Sequence, residues 1–113
     1  MKKSKSIIAL NRKAKFNYQI IDQIEVGIVL TGAEVKSIRK GRVSLDNSYA
    51  VDKKGEFWIN NLYVDLKNYE NSPETANNIR SRKLLLNKTE IYKINMKVKQ
   101  NGLTMIPLDL HFN

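Results

Sequence analysis

Cysteine is absent from this sequence, which excludes disulfide bonds and thiolate metal sites and favours a reducing compartment such as the cytoplasm. Long apolar runs are also lacking. The run near the basic amino terminus, Ile7 to Leu10, is too short for a signal peptide or a membrane span. A chain of 113 residues corresponds to one domain that can bury a single hydrophobic core.

Side chains suited to catalysis are scarce. His111 is the one histidine, and no serine or acid is spaced to make it a base, which favours an ordinary strand histidine. A nuclease would need acidic side chains clustered to bind metal ions. The acids available are Asp46, Asp52 and Glu56, which alternate with a predicted turn and do not converge. The five glycines never form a phosphate-binding spacing such as GxxxxGK. We therefore expect a binding protein and not an enzyme, with no cofactor, metal or small-molecule substrate.

Basic residues outnumber acidic ones by 20 to 11, which gives a net charge of +9. The excess is concentrated in one part of the chain: residues 1–45 carry ten Lys and Arg against three acids, and residues 46–113 carry ten against eight. A surface that needs only solubility mixes its signs. This distribution favours an anionic partner, such as a nucleic acid or an acidic membrane surface.

The stretch "TGAEVKSIRKG", Thr31 to Gly41, predicts a short helix. Thr31 and Glu34 have the spacing of a capping box, and Gly41 suits the left-handed residue that ends a helix. Val35 and Ile38 fall on one face. A separate basic stripe is formed by Lys36, Arg39 and Lys40.

Alternating apolar residues elsewhere predict strands. Seven of the eight even positions from Phe16 to Leu30 are apolar, which indicates a long half-buried strand, bent or broken near Asp22. The runs "RVSLDNSYAV" and "EFWINNLYV" indicate paired strands joined by a turn at "DKKG". A bulge is expected at Asn60 and Asn61.

The second half of the chain predicts a long polar surface loop from Asp65 to Ser81, then a helix and a strand. The run from Ser81 to Gly102 has helical spacing, and Asn87 with Glu90 could cap a turn within it. The run "LTMIPLDLHF" indicates a strand that Pro107 confines to an edge or a bulge. These elements predict an α+β fold, mainly β, in which a small antiparallel sheet curls into a barrel with helices at its openings.

Two groups of residues could contact a nucleic acid. The basic stripe together with Arg42 has only Glu34 as an acidic neighbour, and that acid is used in the cap, so contact with phosphates is favoured there. Aromatic faces can stack on unpaired bases. The predicted hairpin carries four aromatic residues, Tyr49, Phe57, Trp58 and Tyr63. For each of them, packing in the core is favoured over stacking on bases.

Four blocks of sequence resemble the SsrA-binding protein family, also called small protein B (SmpB), in order and spacing. They are "ALNRKAKFNY", "IEVGIVLTGAEVKSIRKGRVSLDNSYA", "RSRKLLLNKTEI" and "GLTMIPLDLHF". The resemblance covers nearly the whole chain from Asn11 onward. It implies an oligonucleotide-binding (OB-like) barrel with two or three added helices, which binds the tRNA-like domain of transfer-messenger RNA (tmRNA) and delivers it to stalled ribosomes in trans-translation.

The resemblance also implies an RNA-facing surface that composition alone does not indicate. It includes Glu25 of "EVG", Asn11 of "LNRKA" and Leu85 of "RKLLL", beside the cations of "EVKSIRKG". With the neighbouring basic residues of these motifs, the predicted RNA-binding set is Asn11, Arg12, Lys13, Glu25, Lys36, Arg39, Lys40, Arg42, Arg82, Lys83 and Leu85. The expected partners are tmRNA and the ribosome, with no membrane.

The predicted organisation is a flexible basic amino terminus, residues 1–10, followed by an OB-like RNA-binding domain, residues 11–113. Family members continue past "LHFN" with another strand and a basic tail, so the resemblance implies a domain that is incomplete at its carboxyl-terminal edge. A general single-stranded nucleic-acid binder or a ribosome-associated structural protein on the same barrel remains the alternative. That alternative predicts affinity that follows phosphate number and salt alone.

Overall fold

A computed structural model describes residues 6–67 and 78–112 and shows a mixed α/β fold. The described residues form eight strands and three helices. In chain order they are β1 (Ser6–Leu10), α1 (Ala14–Asn17), β2 (Gly27–Ile28), α2 (Gly32–Arg39), β3 (Val43–Ser44), β4 (Tyr49–Lys53), β5 (Glu56–Asn60), β6 (Tyr63–Val64), β7 (Arg82–Leu85), α3 (Lys88–Asn101) and β8 (Asp109–Phe112).

The strands pair antiparallel in three sheets. The largest has four strands in the order β2, β7, β5, β4, and the other two are the pairs β1 with β8 and β3 with β6. A single bridge between Ala50 and Met105 links the edge strand β4 to the chain that leads into β8. Within the described part of the chain the sheets do not close into one continuous barrel.

The predicted hairpin is confirmed. β4 pairs with β5 from Tyr49 opposite Asn60 to Lys53 opposite Glu56. Lys54 and Gly55, with φ of 54° and 82°, form the two-residue turn, and positive φ at both central positions is the geometry that matches the twist of paired strands. The chain then turns at Asn61, with φ of 62°, and β6 leaves β5 to pair with β3.

The long strand predicted from Phe16 to Leu30 is wrong for most of its length. Its first residues belong to α1, and only Gly27 and Ile28 form a strand, paired with β7. Phe16, which the pattern placed inward, is 91% exposed. Alternation produces a strand only where a neighbour supplies backbone hydrogen bonds. Among the described residues, β7 pairs with Gly27 and Ile28 and accepts one further hydrogen bond, from the Val29 N–H to the Lys83 carbonyl.

The helix predicted from Ser81 begins later than expected. Asn87 and Glu90 form a capping box at its true start, and α3 ends at Gly102, which is left-handed as predicted. The preceding residues, Arg82–Leu85, form β7, which pairs with β5 on one side and β2 on the other. Side chains of β7 alternate between buried and more exposed positions, the two-residue period of a strand.

Two further predictions concern segments near the described limits. Ser6–Leu10, placed in a flexible terminus by the sequence, forms a strand that pairs with β8, and its Ile8 and Ala9 pack against the core. Residues 68–77 of the polar loop predicted from Asp65 to Ser81 lie outside the described residues. Asn78, at its far end, accepts a backbone hydrogen bond from Val64, so the two flanks of this stretch lie side by side.

The hydrophobic core lies between α2 and the inner faces of the sheets. Its buried members are Ile38, Leu45, Phe57, Ile59, Leu62, Val64, Leu66 and Leu84. Ile91 and Ile94 of α3 pack against this cluster from one side. The core therefore depends on α2 being held in one rotation about its axis.

A buried ion pair holds α2 in that orientation. Glu34 and Arg82 are both fully buried, and Arg82 Nε donates to Glu34 Oε2 at 2.6 Å. The Arg80 Nη2 atom donates to Glu34 Oε1 at 2.7 Å, and Arg82 Nη1 donates to the Leu62 carbonyl at 2.6 Å. One carboxylate therefore joins α2 to β7 and to the chain between β6 and β7.

The same carboxylate completes the capping box of α2. The Thr31 backbone N–H donates to Glu34 Oε1 at 2.8 Å, and the Glu34 N–H donates to Thr31 Oγ1 at 3.2 Å. Burial alone would raise the pKa of Glu34, but the hydrogen bonds from Arg80, Thr31 and Arg82 outweigh burial and lower it. The buried carboxylate is therefore ionised at neutral pH.

Glu34→Gln should reduce the free energy of unfolding by about 3–5 kcal/mol, because it leaves the Arg82 guanidinium buried without its anion. The stabilisation from ionised Glu34 is present above its unfolded pKa of about 4.3 and is lost as pH falls through its lower folded pKa. Denaturant unfolding followed across acid pH measures both effects, and the variant should lack this component of the acid-induced loss.

Glu90→Gln is the matched control, since Glu90 has the same capping-box position on the exposed first turn of α3. Its cost should be about 1 kcal/mol or less. Equal losses for the two variants would show that the cap, and not the buried ion pair, explains the contribution of Glu34.

Candidate nucleic-acid interface

Residues 107–112, formed by β8 and the two residues before it, support several predicted site residues at once. The Asn11 side chain donates from Nδ2 to the Pro107 carbonyl at 3.0 Å, and its backbone N–H donates to the Leu108 carbonyl at 2.8 Å. Arg12 and Lys13 follow as exposed residues before the buried Ala14. The "NRK" motif is therefore anchored through its asparagine while its cations face solvent.

Two further site residues contact β8 itself. His111 Nε2 lies 2.8 Å from Glu25 Oε2, and the Arg39 guanidinium carbon lies 5.3 Å from the centre of the Phe112 ring, within the range of a cation–π contact. Neighbouring side chains of a strand point to opposite faces. Glu25 and Arg39 therefore contact opposite faces of the same short strand.

The helix α2 presents its cations as predicted. Ile38 is buried and Val35 half-buried, whereas Lys36, Arg39 and Lys40 are exposed. Gly41 is left-handed, with φ of 77°, and the exposed Arg42 follows it. The Ser37 hydroxyl on the buried face donates to the Asp65 carbonyl beyond β6. The basic stripe thus lies on the solvent side of a helix whose other side is fixed.

A third part of the predicted site lies on β7. Lys83 and Leu85 alternate with the buried Arg82 and Leu84, so they lie on the more exposed face of the strand. Leu85 pairs with Gly27 across the two strands. Glu25 precedes Gly27 by two residues, so the exposed leucine lies close to the segment that carries this acid. Lys83 is ion-paired with Glu56 of β5.

Arg82 does not fit the predicted set. The sequence placed it with the RNA-binding cations, but it is fully buried and its guanidinium is occupied by Glu34, Leu62 and Asn78. Burial lowers the pKa of Arg82, and the hydrogen bond from its guanidinium to Glu34 opposes that shift. Arg82 is an internal anchor and leaves no surface for a partner.

The arrangement can be compared with known proteins. The model of the SmpB protein family matches residues 8–113. The chain belongs to the SmpB family. An SsrA-binding protein of Ehrlichia canis (strain Jake) is 46% identical over 107 residues, which cover 95% of this chain and 72% of that protein. An SsrA-binding protein of Rhizobium meliloti (strain 1021) is 45% identical over 111 residues, which cover 96% and 68%.

A solved structure supports the same relationship at the level of the fold. It is described as "tmRNA-SmpB: a journey to the center of the bacterial ribosome", and its matching chain superposes on this SmpB family member with a TM-score of 0.72 at 41% sequence identity. The match covers 93% of this chain and 73% of the other. The chain therefore spans about two thirds to three quarters of the relatives it matches.

The four aromatic residues of the hairpin region divide between the core and the surface. Phe57 lies in the core and Trp58 is half-buried, whereas Tyr49 and Tyr63 are 38% and 40% exposed. Core packing, which the sequence favoured over stacking for each of these residues, is confirmed for Phe57, whereas Tyr49 and Tyr63 lie at the surface.

Sequence reasoning missed the roles of His111 and Phe112. His111 contacts two carboxylates, and Phe112 supports Arg39. One signal was available, because Asp109 and His111 are two residues apart in a strand and therefore share a face. The contacts with Glu25 and Arg39 cross the fold and have no local signal.

The described residues hold no group of three or more histidine or acidic side chains placed to bind a metal ion. None of the helices in the part of the chain that the structure describes has the length and apolar character of a membrane span.

Proposed function

We propose that this protein binds the tRNA-like domain of tmRNA and delivers it to stalled ribosomes in trans-translation. The protein acts as an RNA-binding partner in this process and not as an enzyme. Membership of the SmpB family and the likeness to a tmRNA-SmpB structure support the proposal. Action on ribosomes places its work in the cytoplasm.

The observation that carries the proposal is the support of three separate predicted contacts by residues 107–112. Asn11, Glu25 and Arg39 come from different parts of the chain, and each is held by this segment. Held side chains lose less conformational freedom on binding, which favours recognition of one folded RNA shape over loose attraction to phosphates.

The proposed RNA-binding surface contains the predicted set without Arg82. Its cations supply contacts to phosphates, Glu25 accepts hydrogen bonds from base or ribose donors, and Leu85 offers an exposed apolar contact. The members are Asn11, Arg12, Lys13, Glu25, Lys36, Arg39, Lys40, Arg42, Lys83 and Leu85.

We also propose that the three sheets approximate an open OB-like barrel. The bridge from Ala50 to Met105 supports this arrangement, because it joins the edge of the four-stranded sheet to the chain leading into β8. The pairing of β1 with β8 supports a domain that starts before Asn11 and includes β1.

The central experiment is a titration of the protein with a tRNA-like tmRNA fragment at two salt concentrations, with an equal-length single strand as competitor. We expect a preference for the folded fragment that persists at the higher salt, because shape-specific contacts add to counterion release. Equal affinity for both RNAs, lost together as salt rises, would instead support the general single-stranded binder.

Replacing Lys36, Arg39 and Lys40 together with alanine should weaken binding of that fragment while the fold remains intact. The salt slope, the change in log affinity per tenfold change in salt, should fall in magnitude by up to about 3, about one for each lost phosphate contact. Filter binding at several salt concentrations gives the slope, and circular dichroism checks the fold.

The matched control for this variant removes the same charge from another exposed surface. Lys88, Lys93 and Lys99 lie exposed on α3, and their triple alanine replacement should retain most of the affinity. If both triple variants lose affinity equally, net charge alone would explain binding, and the assignment of α2 would be wrong.

Gly27→Ala should reduce RNA affinity modestly by displacing Leu85. A Cβ atom at Gly27 would lie 3.1 Å from Leu85 Cδ1, so the exposed leucine side chain must shift by a few tenths of an ångström. Gly32→Ala is the control, since a Cβ there meets nothing within 4 Å. The fragment titration should separate the two variants, and unchanged affinity in Gly27→Ala would argue against contact by Leu85.

A further inference from the structure

The one histidine of the chain joins two carboxylates from distant parts of the sequence. His111 Nδ1 lies 2.7 Å from Asp109 Oδ1, and Nε2 lies 2.8 Å from Glu25 Oε2. The histidine side chain is only 12% exposed, whereas that of Glu25 is 50% exposed. The largely buried ring thus connects a strand residue to a carboxylate at the surface.

This geometry requires a particular charge state of the ring. An ionised carboxylate can only accept hydrogen bonds, so both ring nitrogens must carry a proton to bind both acids. Neutral histidine has one N–H, and its other nitrogen would face a carboxylate with a lone pair. The hydrogen bonds to Asp109 and then Glu25 raise the pKa of His111 above its usual value of about 6.5.

The charged surroundings of the ring are simple in the described part of the chain. Asp109 lies on the same strand, and Glu25 lies in the segment before β2. The paired strand β1 has no ionisable residue in its sequence. From α2, Arg39 approaches Phe112, whose ring is on the other face of β8.

The segment that carries Glu25 has no regular structure between α1 and β2. A second tie holds it three residues earlier, where Lys97 Nζ of α3 donates to Asp22 Oδ2 at 2.7 Å. That ion pair lies at the surface, with both side chains more than half exposed. His111 is the better-buried of these two anchors and is the one that touches Glu25 directly.

Building on the proposed function, we propose that charged His111, held by Asp109, is a positioning residue that orients the Glu25 carboxylate for RNA binding and offsets its negative charge. A carboxylate near RNA phosphates is repelled by them, and a neighbouring imidazolium reduces that repulsion. Bound RNA in turn favours the charged ring. Affinity should therefore be highest where His111 is protonated and should fall as pH rises through its raised pKa.

The first test needs no RNA. An NMR titration of the single imidazole should give a pKa above about 6.5, and Glu25→Gln or Asp109→Asn should each lower it. An unshifted pKa in the unmodified protein, or one that neither substitution changes, would overturn the inference. Because it starts from the unmodified protein, this test does not depend on whether a His111 variant folds.

The second test measures affinity for the tRNA-like tmRNA fragment between pH 6 and pH 8.5 at constant salt. The unmodified protein should lose about threefold to tenfold in affinity as pH rises, which corresponds to a further pKa increase of about half to one unit on binding. His111→Gln should bind more weakly at pH 6 and show a flatter profile. Any titration of the amino terminus is present in both proteins and cancels in the comparison.

Lys97→Met is the control because it breaks the other tie of the same segment and leaves the ring untouched. Its pH profile should match that of the unmodified protein. If His111→Gln and the unmodified protein both bind the fragment selectively and have the same pH profile, the inference is overturned and the proposed function stands. No selectivity for the fragment at any pH would overturn the proposed function, and the inference with it.

Discussion

The buried ion pair between Glu34 and Arg82 is the constraint on which the rest of the structure depends. Two charges are removed from water together, and each is satisfied by the other and by backbone groups. Such a pair tolerates little displacement, because an uncompensated buried charge is very costly. The start of α2, its rotation and the position of β7 are therefore set by one interaction. The outward direction of the basic stripe follows from that rotation.

The segment of residues 107–112 has a comparable role for the proposed interface. The residues that contact it are far apart in the chain, and they bring an amide, an acid and a guanidinium to one short segment. Asn11 and Glu25 lie outside the helices and strands, so their contacts with this segment hold them in place. A surface assembled in this way is largely formed before RNA arrives, so less ordering is required on binding.

Local chemistry in the sequence predicted local structure well. Both capping boxes, the turn at Lys54 and Gly55, and the glycine that ends α3 follow from residue types within a few positions of each other. The wrong secondary-structure predictions have one cause: pairing between segments distant in the sequence decided which residues form strands. Phe16 fits a strand pattern but has no neighbouring strand among the described residues, and Arg82–Leu85 fits a helix pattern but lies between two strands.

In the candidate site, too, local features could be predicted from the sequence and long-range contacts could not. The cations of α2 could be predicted from composition and helical spacing, whereas Glu25 and Leu85 came only from the resemblance to a family. The burial of Arg82 could not be predicted, since a basic residue beside Lys83 has the same local signal whether it faces solvent or an internal acid. Its role is decided by the position of Glu34, 48 residues earlier.

The pairing of Glu34 with Arg82 also has an evolutionary consequence. Loss of either residue alone leaves a buried charge, whereas replacing both with apolar residues of similar volume can be nearly neutral. A single substitution at either position therefore destabilises the fold strongly. Descendants of this sequence should retain both residues or exchange them together. The two positions form one heritable unit, although the RNA that the protein is proposed to bind touches neither.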